Sequence, residues 1–282
     1  MTYGVVVDGY ISGAEVFIDI DNDWIKDPNE DSTGTDNNGE FNIPYSNGNL
    51  VSIGGTDLDS QTLLDNLLIT HKLDGYSDFK AITPVTSVDA FLENIDINAA
   101  IGIDSSIDIG ITDPVALKGD GDIYDYLYEK GNQLTVLAFA LQNITNDLNT
   151  TTETTQDFFK CMAEEVEAEY TETQVKVNIE TDVFIAKAFN CVINIKSIDI
   201  NETAKQNTIK ALSGVLPIIE VKTSDELTTS LIRFGIGTLQ EDIKAIANGT
   251  ADEAMIDSYT KDIINYIADD QDISSDEITP NI

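Results

Sequence analysis

Ala14-Glu15-Val16-Phe17-Ile18-Asp19-Ile20-Asp21-Asn22-Asp23-Trp24-Ile25-Lys26-Asp27-Pro28-Asn29-Glu30 runs from a short apolar segment straight into an acidic loop. Val16, Phe17 and Ile18 are β-branched or aromatic, and such residues fit a pleated surface better than a helix. The flanks of the loop read as strands, not as the 3.6-residue stripes of helices. A strand therefore enters the loop, and the N-terminal part of the chain falls in the β class.

The same grammar extends outward. Val5 and Val7 alternate with Val6 and Asp8, and Leu50-Val51-Ser52-Ile53 and Leu67-Leu68-Ile69 read as further short strands. Thr35-Asp36-Asn37-Asn38-Gly39-Glu40-Phe41 reads as strand, turn, strand, because Asn-Gly accepts the positive φ of tight hairpins. Gly13, Gly34, Gly39, Gly48 and Gly54-Gly55 supply turns at the spacing of a small sandwich. From Thr83 the period becomes helical. Thr83 suits an N-cap, Pro84 a first turn, and the helix should reach Leu92. Asp113-Pro114 repeats that start signal.

Apolar stripes continue along the rest of the chain. They are Leu127, Leu134, Leu137, Leu141, Ile144 and Leu148; Phe158, Met162, Val166 and Tyr170; and Phe184, Ala188, Cys191 and Ile195. Ile209, Leu212, Leu216 and Ile219 come next, then Leu227, Leu231 and Phe234, then Ile256, Tyr259, Ile263 and Ile267. The expected fold class is α+β: a small N-terminal β-sandwich over 1–83, an α-helical bundle domain over 84–268, and an acidic tail or linker over 269–282.

Charge narrows the function classes. Fifty-one acids face 15 bases, a formal net charge of -36. Such a surface repels nucleic acid and anionic membranes and concentrates cations. No run of about 18 apolar residues is present, so no membrane insertion is expected. The start, Met1 to Val7, reads as a strand and lacks the basic residues and apolar core of a signal peptide. That combination fits a module of a larger protein, export by a non-cleaved signal, or a virion component. The sequons at Asn143, Asn149, Asn201 and Asn248 are read as chance in a chain rich in Asn and Thr.

The loop carries the chemistry. Asp19 to Glu30 spans twelve residues with acids at positions 1, 3, 5, 9 and 12. Calcium takes six to eight hard oxygens, and this spacing wraps alternate side chains around one centre. Asp19, Asp21 and Asp23 would each give an oxygen, Ile25 its backbone carbonyl, Asp27 an oxygen directly or through water, and Glu30 a bidentate carboxylate. Magnesium prefers fewer protein ligands, and the absence of soft ligands disfavours zinc and copper. The order resembles an EF-hand loop, but Trp24 stands where the turn glycine belongs and strands flank it, so an EF-hand domain is rejected. A solvated acidic turn is the competing reading.

Gly4-Val5-Val6-Val7-Asp8-Gly9-Tyr10-Ile11-Ser12-Gly13 leads to Ala14–Asp19, the loop, and Thr35-Asp36-Asn37-Asn38-Gly39-Glu40-Phe41. This order resembles the B-type calcium-binding β-sandwich modules of large bacterial surface adhesins. Gly54-Gly55-Thr56-Asp57, Ile82-Thr83-Pro84-Val85-Thr86-Ser87-Val88, Ala99-Ala100-Ile101-Gly102-Ile103 and Asp113-Pro114 look like the helical extension of marine bacterial calcium-binding surface proteins. The resemblance implies a surface or adhesive role, with Asp19, Asp21, Asp23, Asp27 and Glu30 as calcium ligands.

Other constellations are weaker. Lys118-Gly119-Asp120-Gly121-Asp122-Ile123-Tyr124-Asp125 reads as a helix start capped by Asp120 or Asp122 rather than as a second cation site. Asp57 and Asp59 read as turn residues. Cys161 and Cys191 fall at similar heights if their helices form a hairpin turning near Thr173 to Lys176, so a disulfide competes with two buried thiols. His71, the single histidine, reads as a strand residue. No nucleophile elbow or phosphate loop is present. The expectation is therefore no enzyme, but a calcium-stabilised extracellular or cell-surface structural or adhesive module. Its partners would be calcium and other protein subunits or a surface ligand. The alternatives are a virion or filament component and, less favoured, a secreted carboxylate-dependent hydrolase.

Overall fold

The computed structural model describes residues 1–44, 47–65, 67–72, 79–149, 154–220 and 225–251. It is an α+β fold with a β-rich N-terminal part and a later helical region. Contacts group the chain into two compact units, and each is described by itself.

The first unit holds Met1–Gly131 and Thr154–Val177. Its strands are β1 (Thr2–Val6), β2 (Ile11–Ser12), β3 (Glu15–Asp19), β4 (Ser32–Gly34), β5 (Glu40–Ile43), β6 (Asn49–Ile53), β7 (Thr56–Asp57), β8 (Thr62–Leu63), β9 (Leu68–His71) and β10 (Phe79–Ile82). They form three small sheets, ordered β10-β1-β5, β2-β7-β8 and β4-β3-β6-β9. Among the described strands only β1 and β10 pair in parallel, with Val5 opposite Ala81. Both neighbours of β3 run antiparallel to it, Phe17 facing Ser32 on one side and Val51 on the other. As a central strand, β3 buries Val16, Phe17 and Ile18 on both of its faces.

Next come helices α1 (Pro84–Asp89) and α2 (Ile97–Ile101), then the start of α3 (Asp122–Asn149), and later α4 (Gln156–Thr173). The capping signal at Thr83 is realised: its hydroxyl accepts from Thr86 N–H while Thr86 Oγ1 accepts from Thr83 N–H. Hydroxyls then tie α1 to β9. Ser87 Oγ accepts from Thr70 N–H at 2.9 Å, and Thr86 Oγ1 donates to Thr70 O at 2.8 Å. The outer edge of β9 is thus covered rather than exposed. On α4, Phe158, Met162 and Val166 are buried as the stripe requires.

The second unit takes α3 from Asn132 onward and the described chain from Asn178. It contains α5 (Asp182–Lys196), α6 (Glu202–Val215), a 3-10 turn (Leu216–Ile218), α7 (Asp225–Ile236) and α8 (Thr238–Ala247). Leu134, Leu137, Leu141, Ile144, Leu212, Leu231 and Phe234 are buried. Buried amides satisfy backbone carbonyls at breaks between helices: Gln133 Nε2 donates to Leu216 O and Ile219 O, and Gln240 Nε2 to Gly235 O.

Several expectations are corrected. The turn over Asp36 to Gly39 joins no hairpin, because β4 pairs with β3 while β5 pairs with β1. The chain crosses between sheets there, pinned by Thr35, whose hydroxyl donates to Ile11 O and accepts from Ala14 N–H. Asp113 caps Val115 and Ala116 N–H, yet no helix grows. The next backbone bonds skip only three residues, and Gly119 turns the chain at φ 86°. Neither Asp120 nor Asp122 caps α3 among the described residues; Gly121 O takes the first helical N–H groups, and Asp125 reaches back to Gly119 N–H at 2.7 Å. The α5 stripe bends away at its end, leaving Ile195 48% exposed while Ile185, Phe189 and Val192 are buried.

The domain boundary expected at residue 83 does not coincide with the division into compact units, since α1, α2 and α4 belong with the strands. The Leu227 side chain, the helix expected at Ile256, Tyr259, Ile263 and Ile267, and the 269–282 tail lie outside the described residues. Neither Cys161 nor Cys191 is a free thiol; both are disulfide-bonded.

Candidate metal centre

Strand β3 delivers Asp19, fully buried, to the start of the acidic loop. Its two carboxylate oxygens organise the first turn of that loop: Oδ1 accepts from Asn22 N–H at 2.8 Å and Oδ2 from Trp24 N–H at 3.1 Å. Asp23 Oδ1 accepts from Ile25 N–H at 2.8 Å. Two residues take left-handed backbone conformations, Asn22 at φ 63° and Trp24 at φ 65°. For tryptophan that conformation is costly, about 1–2 kcal/mol. Packing offsets it: the indole packs against Phe17 and Val51 of the sheet that leads into the loop. Trp24 thus occupies the conformation that glycine would take, held by its side chain rather than permitted by the lack of one.

The loop brings one oxygen each from Asp19, Asp21 and Asp23 within 4.8 Å of one another. Two oxygens bound to one calcium ion at about 2.4 Å can be at most about 4.8 Å apart, so the spacing suits a shared ion. Asp21 and Asp23 are exposed, and Asp21 makes no hydrogen bond to any described residue. Burial raises the Asp19 carboxyl above its ordinary value, against its two N–H bonds, and Glu30 and Asp23 push it the same way. A cation beside it would relieve both effects.

The rest of the expected ligand set stands elsewhere. Asp27 and Glu30 do not join the close carboxylates. Glu30 is buried and clamps the loop: one oxygen accepts from Ile20 N–H at 2.7 Å, the other from Asp27 N–H at 2.9 Å. Ile25 is 66% exposed. Reading the spacing alone misses Trp24 as an anchor, Glu30 as a clamp and Asn49, whose amide donates to Asn22 Oδ1 at 2.8 Å. Asn49 enters only because β6 pairs with β3, setting Asn49 opposite Asp19.

The other acids resolve differently. Asp120, Asp122 and Asp125 form no close carboxylate group among the described residues. Asp57 is fully buried and accepts from Asp59 N–H, Ser60 N–H and the Ser60 hydroxyl. Burial pushes its carboxyl up. Asp59 takes the Tyr128 hydroxyl at 3.1 Å, and burial, then the Asp59 charge, lifts that phenol well above its usual range. His71 sits in β9 as a strand residue, with Nδ1 3.0 Å from Ala81 O.

No protein-family model, curated protein or solved structure matches the chain.

Proposed function

We propose that the Asp19–Glu30 loop binds calcium and that the bound ion stiffens the β-rich part of an exported structural or adhesive protein. The observation that carries this reading is the convergence of Asp19, Asp21 and Asp23 oxygens within 4.8 Å. The donor set is hard oxygen, which favours calcium over zinc or copper. Neutralising charge in a chain of net charge -36 adds to the gain. The resemblance to adhesin modules supports a place on a cell surface, or in a virion or filament, with other protein subunits or a surface ligand as partner.

The single tryptophan lies inside the loop, so the test needs no label. Terbium, which takes calcium sites, should luminesce on Trp24 excitation, lose that signal to added calcium, and give none with Asp21→Asn. Luminescence that survives Asp21→Asn, or that calcium does not displace, would overturn the assignment.

A second reading, the carboxylate hydrolase, draws on one groove of about 470 Å3 lined by Tyr3, Phe41, Phe79, Asp36 and Glu40. Asp36 already accepts from Asn38 and Glu40 N–H, so its carboxylate serves the turn. Glycan hydrolysis lost in Glu40→Gln would favour this reading.

A further inference from the structure

Strand β10 carries a lysine where strands seldom hold one. Phe79 and Ala81 face the Val5, Val7, Tyr10 and Val115 cluster, so alternation puts Lys80 on the opposite face. Lys80 is only 5% exposed. Lysines buried to this depth are almost always paired. Lys80 has neither an ion pair nor a side-chain hydrogen bond to any described residue. Its Nζ is not among the buried side-chain atoms that lack a partner, so the ammonium reaches a cavity, where a ligand oxygen can take the place of water.

Lys80 lines a cavity of about 500 Å3, together with His71, Lys72, Asp89, Asp96, Asn98 and Asp108. The walls are fixed by local bonds. Asp96 accepts from Asn98 N–H at 2.9 Å, Asp108 from Gly110 N–H at 3.0 Å, and Asn98 Nδ2 donates to Ile107 O at 2.7 Å. The His71 Nδ1 contact is to a carbonyl, which only accepts, so Nδ1 carries a proton. Gly110 leaves room for that ring, since a Cβ there would lie 2.7 Å from His71 Cε1.

We propose that this cavity binds a small zwitterion of the α-amino-acid type, its carboxylate on the Lys80 ammonium and its ammonium toward the aspartates of the wall. Three observations select that class. Lys80 offers only donors and requires an acceptor. Asp89, Asp96 and Asp108 in the same wall disfavour a simple anion and favour a ligand with a cationic end. The net charge of -36 opposes entry of any net anion, whereas a zwitterion is not repelled. The cavity volume lies in the ordinary range for small-molecule sites, about 300–1,000 Å3.

The experiment tracks the Gly110 and Asn98 amide resonances of the full chain while each proteinogenic α-amino acid is added in turn. Acetate and ethylammonium serve as the two half-ligands. At least one amino acid should shift both resonances saturably, and more tightly than either half-ligand. Lys80→Met should weaken that binding by about tenfold or more, the loss expected for a hydrogen-bonded charge. No saturable shift with any amino acid, or unchanged binding in Lys80→Met, overturns the proposal. Acetate binding as tightly as the best amino acid overturns the zwitterion assignment on wild-type protein alone, whether or not Lys80→Met folds.

Discussion

The indole of Trp24 stacks at a tilt on the ring of Phe91, centroids 4.9 Å apart and planes 44° apart. The contact joins the acidic loop to the segment just after α1, and it helps hold a tryptophan in a left-handed conformation at φ 65°. An aromatic pair of this kind contributes about 0.5–1.5 kcal/mol beyond its buried area. Phe91→Ala should therefore red-shift Trp24 emission and move the calcium midpoint to higher concentration. A fluorescence titration reads both, and unchanged emission would show that Phe91 does not position the loop.

Asp21 and Glu30 separate ligand from clamp. Asp21 is exposed and bonds to no described residue, so Asp21→Asn should leave stability in EDTA within about 0.5 kcal/mol of wild type. Calcium at 100 times its dissociation constant should add about 2.7 kcal/mol to the wild type and nothing to that variant. Glu30→Ala instead strands the Ile20 and Asp27 N–H groups and should cost about 2 kcal/mol with no metal present. Thermal melts in EDTA and in calcium test the division. Equal losses for both variants in EDTA would refute it.

Tyr10 predicts an alkaline effect. Its hydroxyl donates to Asp113 Oδ2 at 3.1 Å, and burial, then the Asp113 charge, pushes the phenol up to about 12 from 10.0. The folded value exceeds the unfolded one, so the neutral phenol's contribution is complete below pH 10 and is lost as pH rises toward 12. Wild type should lose stability relative to Tyr10→Phe across that window, because only its unfolded state ionises there. Parallel denaturation curves for the two proteins from about pH 9 to about pH 11, on either side of the ordinary phenol value, would contradict the assignment.

Gly39 and Gly34 form a matched pair. Gly39 sits at φ 71°, and a Cβ there would lie 2.7 Å from Val6 O, on the strand whose Val6 N–H bonds to Gly39 O. Gly34 leaves 3.8 Å to its nearest neighbour at that position. Gly39→Ala should cost more than about 1–2 kcal/mol from the left-handed backbone alone, whereas Gly34→Ala should change little. Urea denaturation midpoints measure the difference.

Much of the β part is legible in residue order. Val16-Phe17-Ile18 reads as a strand because both of its faces must be apolar, and Thr83-Pro84 reads as a helix start because its capping needs are local. The crossing at Asp36 to Gly39 is not legible: a turn has the same residues whether its two strands pair with each other or with different sheets. Asp113-Pro114 likewise starts a cap correctly, but whether a helix grows depends on what the next residues pack against.

By itself, the sequence determined the alternating acids of Asp19, Asp21 and Asp23, the shift from two-residue to helical period after Thr83, and the surplus of negative charge. These are properties of spacing and composition, and they survive without knowledge of any distant neighbour. Only the tertiary structure decided that Glu30 clamps the loop backbone, that Trp24 is seated on Phe17 and Phe91, and that Lys80 faces a cavity with no partner among the described residues. Each of these depends on residues far apart in sequence meeting through strand pairing and packing, and residue spacing along the chain carries no record of those meetings.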